Sequence, residues 1–313
     1  DDHRFHQQRG NAAGMIGITI NDAWVKYLDG AIPFGEFVFI RSLFGLVGLA
    51  CIPMVWRELA GLPARSYGLL FVRGLLLMGT VTCYFSAISL LPLAEAVALF
   101  FISPFLISLM GRFLLGEPLT VYRIVAIICG FIGTLFIVWP SDQAIELGSN
   151  LGVLMGVLSA FLYASFQIST RWMKDVAGTW AMAGTMGFIY MLYGASFFLI
   201  YLVAPGLNQG DEFTQYLFGA WVGLTGEQIW ILVMCGFYSL FLTVVGPMAY
   251  RNVDATVLAP FEYVSLVAGV VLGFFWFKEI PETLSFIGIA LILFGGLLMV
   301  YRTNKREQAI ASG

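Results

Sequence analysis

The chain has 313 residues, of which 59% are hydrophobic and 11% are charged, and its mean hydropathy is +0.87. A soluble domain averages about 25% charged residues, so a water-soluble fold of this composition would lack the polar surface needed to cover itself. A lipid bilayer is therefore the expected solvent. The net charge of −3 and the pI near 5.4 give no indication of nucleic-acid binding.

Ten apolar segments are each long enough to cross the hydrocarbon core of a bilayer, which takes about 20 residues of helix. In chain order we expect spans at 11–28, 34–56, 67–91, 93–115, 121–140, 151–171, 180–203, 227–249, 254–277 and 283–301. The connections are short except around 141–150 and 204–226. The sequence therefore predicts an all-α membrane protein with ten transmembrane helices and no inserted soluble domain.

The distribution of basic residues predicts which ends of the spans face the cytoplasm. If the N-terminus is cytoplasmic, the even-numbered turns are cytoplasmic too, and they hold Arg57, Arg65, Arg112, Arg123, Arg171, Lys174 and Arg251. The two longest loops on the opposite side have no Lys or Arg. We therefore expect both termini on the cytoplasmic side of a bacterial-type inner membrane.

Cysteine and histidine form no pattern that is typical of a metal or redox site. The four cysteines are isolated in apolar segments, and the two histidines, His3 and His6, lie in the polar N-terminal tail. The sequence contains no HExxH, GxSxG or P-loop motif. These features predict a protein that is not an enzyme and that uses no cofactor or metal.

An internal repeat relates the two halves of the chain. FLLGEPLTVYRIVAIICGFIGTLFIVW (113–139) aligns with FWFKEIPETLSFIGIALILFGGLLMVY (275–301) at a shift of 162 residues, which pairs Gly133 with Gly295. Each copy has five spans, and because five is odd, the second copy enters the membrane from the opposite face. Inverted repeats of this kind are typical of alternating-access transporters.

The repeat also predicts the domain organisation. We expect a cytoplasmic tail, a first five-helix repeat, an extracytoplasmic linker, a second five-helix repeat and a second cytoplasmic tail, at 1–10, 11–140, 141–150, 151–301 and 302–313.

The two units resemble the EamA-type transporters of the drug/metabolite transporter superfamily. Each unit ends in a small-residue helix, a turn such as Gly116-Glu117-Pro118 and a Gly-rich last helix. The second turn departs from this pattern, since it reads Lys278-Glu279-Ile280-Pro281. The resemblance covers nearly the whole chain. It implies two inverted five-helix repeats around a central cavity lined by spans 3, 4, 8 and 9, together with 1 and 6.

Ionisable residues inside the spans are candidates for a substrate or coupling site, because a charge at mid-membrane costs about 2.5–3.5 kcal/mol. The candidates are Asp22, Lys26, Arg41, Arg73, Glu95 and Glu262. Asp22 and Lys26 are four residues apart with the acid first, so they can pair on one helix face. Such a pair, with Lys26 reaching the interface, is the simpler explanation for Lys26, whereas Asp22 is better explained as a substrate or proton site.

The other embedded charges have structural explanations as well. Arg41 is equally consistent with binding a substrate carboxylate and with pairing to Glu36 or to helix-end carbonyls. A structural role is the better explanation for Arg73, and Glu95 can cap its helix. The charges cluster in the first repeat, and a charge that served only the fold would be expected in both copies. This asymmetry favours a binding role.

Aromatic and amide side chains can complete such a site. We expect cavity contacts from Trp24, Tyr84, Tyr163, Gln167, Tyr238 and Tyr263, although aromatic residues more often serve packing or the membrane interface. Pro104, Pro247 and Pro260 each follow a small residue inside a predicted span and are expected to interrupt those helices as hinges. Gly152 and Gly156 are expected to let two helices approach closely.

These features predict a secondary active transporter of a small polar metabolite, with an amino acid or an amino-acid derivative as the preferred substrate class. We expect alternating access, coupled to protons or operating by exchange. One alternative is a carrier of larger amine- or adenosine-bearing metabolites or of lipophilic cations, and a second is a channel-like facilitator. The expected partners are the substrate, protons and the lipid bilayer, with no nucleic acid, for a monomer or a homodimer.

Overall fold

The structure, a computed structural model, describes residues 20–28, 31–116, 121–138, 147–173, 175–204, 212–252, 272–276, 278 and 283–311. These residues form helices and connecting turns, and none of them lies in a strand. The chain divides into two compact units. The first contains the described residues within 1–23, 79–169 and 252–313, and the second contains those within 24–78 and 170–251. Each unit combines segments from both predicted repeats.

We number the helices in chain order. They are α1 (20–28), α2 (Phe34–Ala50), α3 (Pro53–Ala60), α4 (Ala64–Leu90), α5 (Leu93–Phe100), α6 (Ser103–Leu115), α7 (Val121–Val138), α8 (Leu147–Trp172), α9 (Thr179–Val203), α10 (Glu212–Phe218), α11 (Gly226–Asn252), α12 (272–276) and α13 (Thr283–Ala311).

Several of these helices can cross a membrane. Within the described part of the chain, four segments are long and apolar enough, at Ala64–Leu90, Glu95–Leu114, Asn150–Trp172 and Thr179–Val203. They match the predicted spans 67–91, 93–115, 151–171 and 180–203. The bent pair α2 and α3 is a fifth candidate if the two helices are counted as one span. The protein is therefore a multi-pass helical membrane protein, while the total of ten spans stays a prediction.

The predicted span 34–56 is interrupted by a bend. Helix α2 stops at Ala50, and α3 begins at Pro53 at an angle of 84° to it. Pro53 has no backbone N–H to donate to a continuing helix, and it disfavours helical geometry in the residue before it. Pro53 occupies the start of α3, where a missing N–H costs nothing.

Two of the predicted proline interruptions lie in described helices, with different outcomes. The fourth span is divided into α5 and α6 by a turn at Phe101 and Ile102, and Pro104 lies in the first turn of α6. No interruption is seen at Pro247, because α11 runs from Gly226 to Asn252 without a break. A hinge role for this proline stays a prediction. Neighbouring groups in a membrane protein can satisfy the carbonyl that a proline leaves without its helical partner. The third proline, Pro260, lies outside the described residues.

Two further differences concern polar sequence. The cytoplasmic tail predicted from residue 302 is helical to Ala311, because α13 continues beyond its apolar part.

The loop predicted at 204–226 contains α10, whose aromatic residues pack in the second unit. The Tyr216 ring lies 5.7 Å from that of Phe34, and the Phe218 ring lies 5.5 Å from that of Phe197.

In the first unit, glycines of α7 and α13 bring the two helices into close contact. A Cβ placed on Gly133 would lie 2.6 Å from the carbonyl oxygen of Gly288, and one on Gly295 would lie 2.9 Å from that of Ala126. Ala126 and Gly288 are separated by the same 162 positions as Gly133 and Gly295. The contact is therefore reciprocal, as at an interface with two-fold symmetry, and it pairs the helices antiparallel.

We predict that Gly133→Ala destabilises the protein by about 1–3 kcal/mol, the usual cost of adding a methyl group to a tightly packed contact. The control is Gly68→Ala in α4, where a Cβ meets no atom within 4 Å. Thermal unfolding in detergent measures both variants. An unchanged midpoint for Gly133→Ala would show that the α7–α13 contact is looser than described.

Candidate functional site

The first unit holds a buried carboxylate with a defined hydrogen-bond donor. Asp22, on α1, is 4% exposed, and its Oδ2 accepts a 2.8 Å hydrogen bond from the Tyr84 hydroxyl on α4. The side-chain amide nitrogen of Asn21 lies 3.5 Å from the other carboxylate oxygen. Asn21 is itself buried. Two polar side chains therefore face a carboxylate in an otherwise apolar stretch of the chain.

A row of aromatic rings extends from this carboxylate. The ring of Tyr84 lies 4.9 Å from that of Phe100, at the end of α5, and the Phe100 ring lies 4.9 Å from that of Tyr163 on α8. The Tyr163 hydroxyl accepts a 2.7 Å hydrogen bond from the Gln167 amide one turn later. We call Asp22, Tyr84, Phe100, Tyr163 and Gln167 the acidic–aromatic cluster. Four of its five members were predicted as site residues.

Small residues bring α8 close to the turn between α4 and α5 and to α5 itself, on which Phe100 lies beside Tyr163. A Cβ on Gly152 would lie 2.8 Å from Leu91, and one on Gly156 would lie 2.8 Å from Leu99. The GxxxG spacing therefore produces the close helix approach that the sequence predicts.

The second unit holds a buried arginine near the middle of α2. Arg41 is 7% exposed, and its guanidinium carbon lies 5.7 Å from the centre of the Phe37 ring, one turn earlier. That distance is within the range of a cation–π interaction. Glycines allow α9 and α11 to approach α2 here. A Cβ on Gly194 would lie 2.6 Å from the Phe39 Cα, and one on Gly236 would lie 3.1 Å from the Arg41 carbonyl oxygen.

Arg73 has a partner that fits the structural role expected for it. The side chain is 1% exposed, and its Nε donates a 2.8 Å hydrogen bond to the hydroxyl of Thr170 near the end of α8. Thr170 is 3% exposed. This contact joins α4 to α8 within the second unit.

Two acidic residues accept hydrogen bonds from groups in distant parts of the sequence. Glu36 is buried at the start of α2 and accepts a 2.9 Å bond from the backbone N–H of Val222. Glu95, in the first turn of α5, accepts a 2.8 Å bond from the Ser285 hydroxyl on α13. Both carboxylates therefore contribute to packing within their own units.

The remaining predicted site residues are dispersed or lie elsewhere. Trp24 and Lys26 are half-buried on α1, and their roles stay predictions. Tyr238, on α11, is half-buried, with its ring 6.2 Å from that of Phe241. Glu262 and Tyr263 lie outside the described residues. Among the residues that are described, no group of three or more His, Cys, Asp or Glu side chains is placed to hold a metal ion.

Sequence reasoning did not single out Asn21, Phe100 or Thr170. Asn21 directly precedes Asp22, and a second polar residue in an apolar span could have indicated that Asn21 belongs to the same site. Thr170 lies in the polar end of the span 151–171 and could have been weighed as a partner for an arginine. Phe100 is one of 28 phenylalanines, and nothing in its sequence context distinguishes it.

Comparison with known proteins finds that this chain is similar to transporters. Residues 12–139 match the EamA-like transporter family. The family resemblance predicted from the sequence is thereby confirmed, and the matched range lies within the first predicted repeat.

Characterised relatives match over nearly the full length of the chain. A pseudopaline exporter of Pseudomonas aeruginosa is 28% identical over 291 residues, which cover 92% of this chain and 93% of that protein. A riboflavin transporter of Brucella anthropi is 26% identical over 290 residues, covering 92% and 95%. An S-adenosylmethionine uptake transporter of Rickettsia prowazekii is 23% identical over 291 residues, covering 93% and 91%. These relatives are transporters of small metabolites, not enzymes.

The fold also matches a solved crystal structure. The TM-score is 0.58 at 20% sequence identity, and the match covers 94% of this chain and 98% of the other.

We predict that Tyr84→Phe destabilises the protein by about 1–2 kcal/mol. A hydrogen bond to a charged group usually contributes more than this, and hydrogen bonds between transmembrane helices contribute less on average. The substitution keeps the ring against Phe100 and removes only the hydroxyl that donates to Asp22. The control is Tyr301→Phe, since Tyr301 is 63% exposed. Equal unfolding midpoints for the two variants would contradict a hydrogen bond between Tyr84 and Asp22 in the membrane-embedded protein.

Proposed function

We propose that this chain, a multi-pass transporter with an EamA-like domain at residues 12–139, moves a small zwitterionic metabolite by alternating access. An amino acid or an amino-acid derivative is the preferred substrate class. In this proposal Asp22 holds the substrate amine or a coupling proton. Arg41 is the candidate for the substrate carboxylate on the basis of the sequence.

The buried carboxylate of Asp22 carries the proposal. Burial makes a charged carboxylate costly at this position, and the hydrogen bonds from Tyr84 and Asn21 come from neutral donors. A bound ammonium group or a proton would lower that cost. The site therefore favours a cationic group over a neutral one, and binding can be coupled to proton release.

Arg41 supports the acidic half of the substrate assignment. Its planar guanidinium is suited to binding a carboxylate through two hydrogen bonds. Arg73 is a weaker candidate, because its Nε is already engaged by Thr170. Glu36 and Glu95 are likewise weaker, because each lies in the first turn of its helix, where a carboxylate stabilises the helix end.

Two features support alternating access. The reciprocal contact of α7 and α13 has the antiparallel symmetry that an inverted repeat would produce. The turn between α5 and α6, followed by Pro104, divides the fourth span and gives it a point at which to bend. A channel-like facilitator would need neither feature, so we consider it the weaker alternative.

The aromatic members of the cluster favour a second substrate class. Rings at 4.9 Å spacing beside a carboxylate offer both stacking and charge to a cationic substrate that carries an aromatic ring. S-adenosylmethionine and riboflavin, named for two of the relatives, both contain fused aromatic rings. An amine- or adenosine-bearing metabolite is therefore the second candidate, and a lipophilic cation belongs with it.

Localisation and assembly follow from the proposed function. We place the protein in a bacterial-type inner membrane with both termini in the cytoplasm, on the distribution of Lys and Arg. It acts as a monomer or a homodimer. Exporters and uptake transporters both occur among the relatives, so they support neither direction of transport over the other.

We predict that a zwitterion raises the unfolding temperature of the purified protein. The test screens amino acids, carboxylates, amines, nucleosides, riboflavin and S-adenosylmethionine by thermal shift. A ligand at 100 times its dissociation constant adds about 2.7 kcal/mol of stability. Asp22→Asn and Arg41→Gln should each remove most of the shift, because each keeps the approximate size of the side chain and removes its charge.

Matched controls separate charge at the site from charge elsewhere. Asp175→Asn and Arg112→Gln make the same chemical changes at exposed positions and should respond like the wild type. A shift by adenosine-bearing amines alone would favour the second candidate. If Asp22→Asn and Arg41→Gln both respond like the wild type, the embedded charges belong to the scaffold and the substrate assignment is wrong.

A further inference from the structure

The second unit contains an apolar groove that the proposed transport function does not use. It has a volume of about 500 Å³ and is lined by side chains of α2, α3, α4 and α9. This size is within the range of about 300–1,000 Å³ that is typical of ligand pockets. Trp56 and Phe188, on its sides, are 58% and 57% exposed, so the groove opens to the surroundings of the unit.

The bend after Ala50 forms the groove, and contacts with α9 hold the bend in place. The Glu58 carboxylate on α3 accepts a 3.0 Å hydrogen bond from the backbone N–H of Ala181, near the start of α9. Gly184 lets Val55 pack directly against α9, since a Cβ there would collide with the valine side chain. The groove is therefore bounded by a fixed corner of the fold.

The polar atoms around the groove are already bonded to the protein. The Trp56 indole N–H donates to the Ala50 carbonyl at 2.9 Å, and the Tyr67 hydroxyl donates to the Leu59 carbonyl at 2.7 Å. The Thr185 hydroxyl donates to the Ala181 carbonyl at 2.8 Å. A polar ligand would lose its hydration here without gaining partners, whereas a hydrocarbon chain would lose nothing.

Gly68 keeps the groove open. A Cβ placed on this residue of α4 would meet no atom within 4 Å, although the residue lies in the groove lining. Neither its φ angle nor a close helix contact requires glycine at this position. A larger side chain at this position would therefore extend into the groove without straining the backbone.

Two arginines lie near the turn that joins α3 to α4, the two helices on either side of the groove entrance. Arg57 lies three residues before the end of α3, and Arg65 is the second residue of α4, three residues before Gly68. Both side chains are exposed, and among the described residues neither forms an ion pair. Guanidinium groups bind phosphate well, and basic groups next to transmembrane helices are typical of sites for anionic lipid headgroups.

From this arrangement we infer that the groove binds one acyl chain of an anionic phospholipid, whose phosphate is held by Arg57 and Arg65. The apolar lining accounts for the chain, and the two cations account for the charge of the headgroup. Trp56 and Tyr67 are the aromatic residues expected at the level of the headgroups. The lipid would stabilise the bend between α2 and α3, and Arg41 is not part of the groove lining.

Native mass spectrometry of the delipidated protein tests this inference with phosphatidylglycerol and phosphatidylcholine of identical acyl chains. The wild type should retain phosphatidylglycerol preferentially. Arg57→Gln combined with Arg65→Gln should weaken phosphatidylglycerol binding about 30-fold, because each basic residue near an anionic headgroup contributes roughly fivefold. Gly68→Leu should displace both lipids, because its side chain occupies the groove.

Two control variants match these changes outside the groove. Arg112→Gln combined with Lys278→Gln removes the same charge at two exposed positions, and Val72→Leu enlarges an exposed side chain on α4. Both should bind lipid like the wild type. Equal binding of the two lipids by the wild type, or full retention of phosphatidylglycerol by Gly68→Leu, would overturn the proposal. So would a second copy of the chain in place of a lipid in the mass spectrum.

Discussion

The candidate site depends on one physical constraint, which is the cost of burying the Asp22 carboxylate among apolar helices. Asp22 is tolerated because Tyr84 and Asn21 turn polar atoms toward it. The Tyr84 ring packs against that of Phe100, which packs in turn against that of Tyr163. Tyr163 is positioned by Gln167 and by the close approach of α8 at Gly152 and Gly156. Four helices of the first unit thus contribute to the surroundings of one charge.

The buried charges that the structure describes each have a polar or aromatic neighbour. Glu36, Arg73 and Glu95 each bind a backbone or hydroxyl group from a distant part of the sequence, and these bonds join separate segments of the chain. Asp22 likewise accepts a hydrogen bond from Tyr84 on another helix, and Arg41 lies beside the Phe37 ring. We assign Asp22 and Arg41 to the substrate because of the cost of placing a charge deep in a predicted span.

Hydropathy predicted the described spans because the bilayer demands long apolar helices, and it failed where another constraint determined the ends. The apolar sequence around Cys51 continues past Pro53, but the proline ends the helix, and α13 continues into polar sequence because helix formation does not require apolar residues. The cost of embedded charge singles out Asp22 and Arg41 as candidates. It could not identify Phe100, because the role of an aromatic residue depends on neighbours that only the tertiary structure provides.

Coupling between Asp22 and transport is the central claim of this account. The most direct measurement is uptake of the ligand found by thermal shift into proteoliposomes under an imposed pH gradient, comparing the wild type with Asp22→Asn. We predict that the wild type accumulates the ligand in response to the gradient and that Asp22→Asn does not, since an amide has no charge to bind an amine or to carry a proton. Accumulation by Asp22→Asn equal to that of the wild type at every pH would contradict the account.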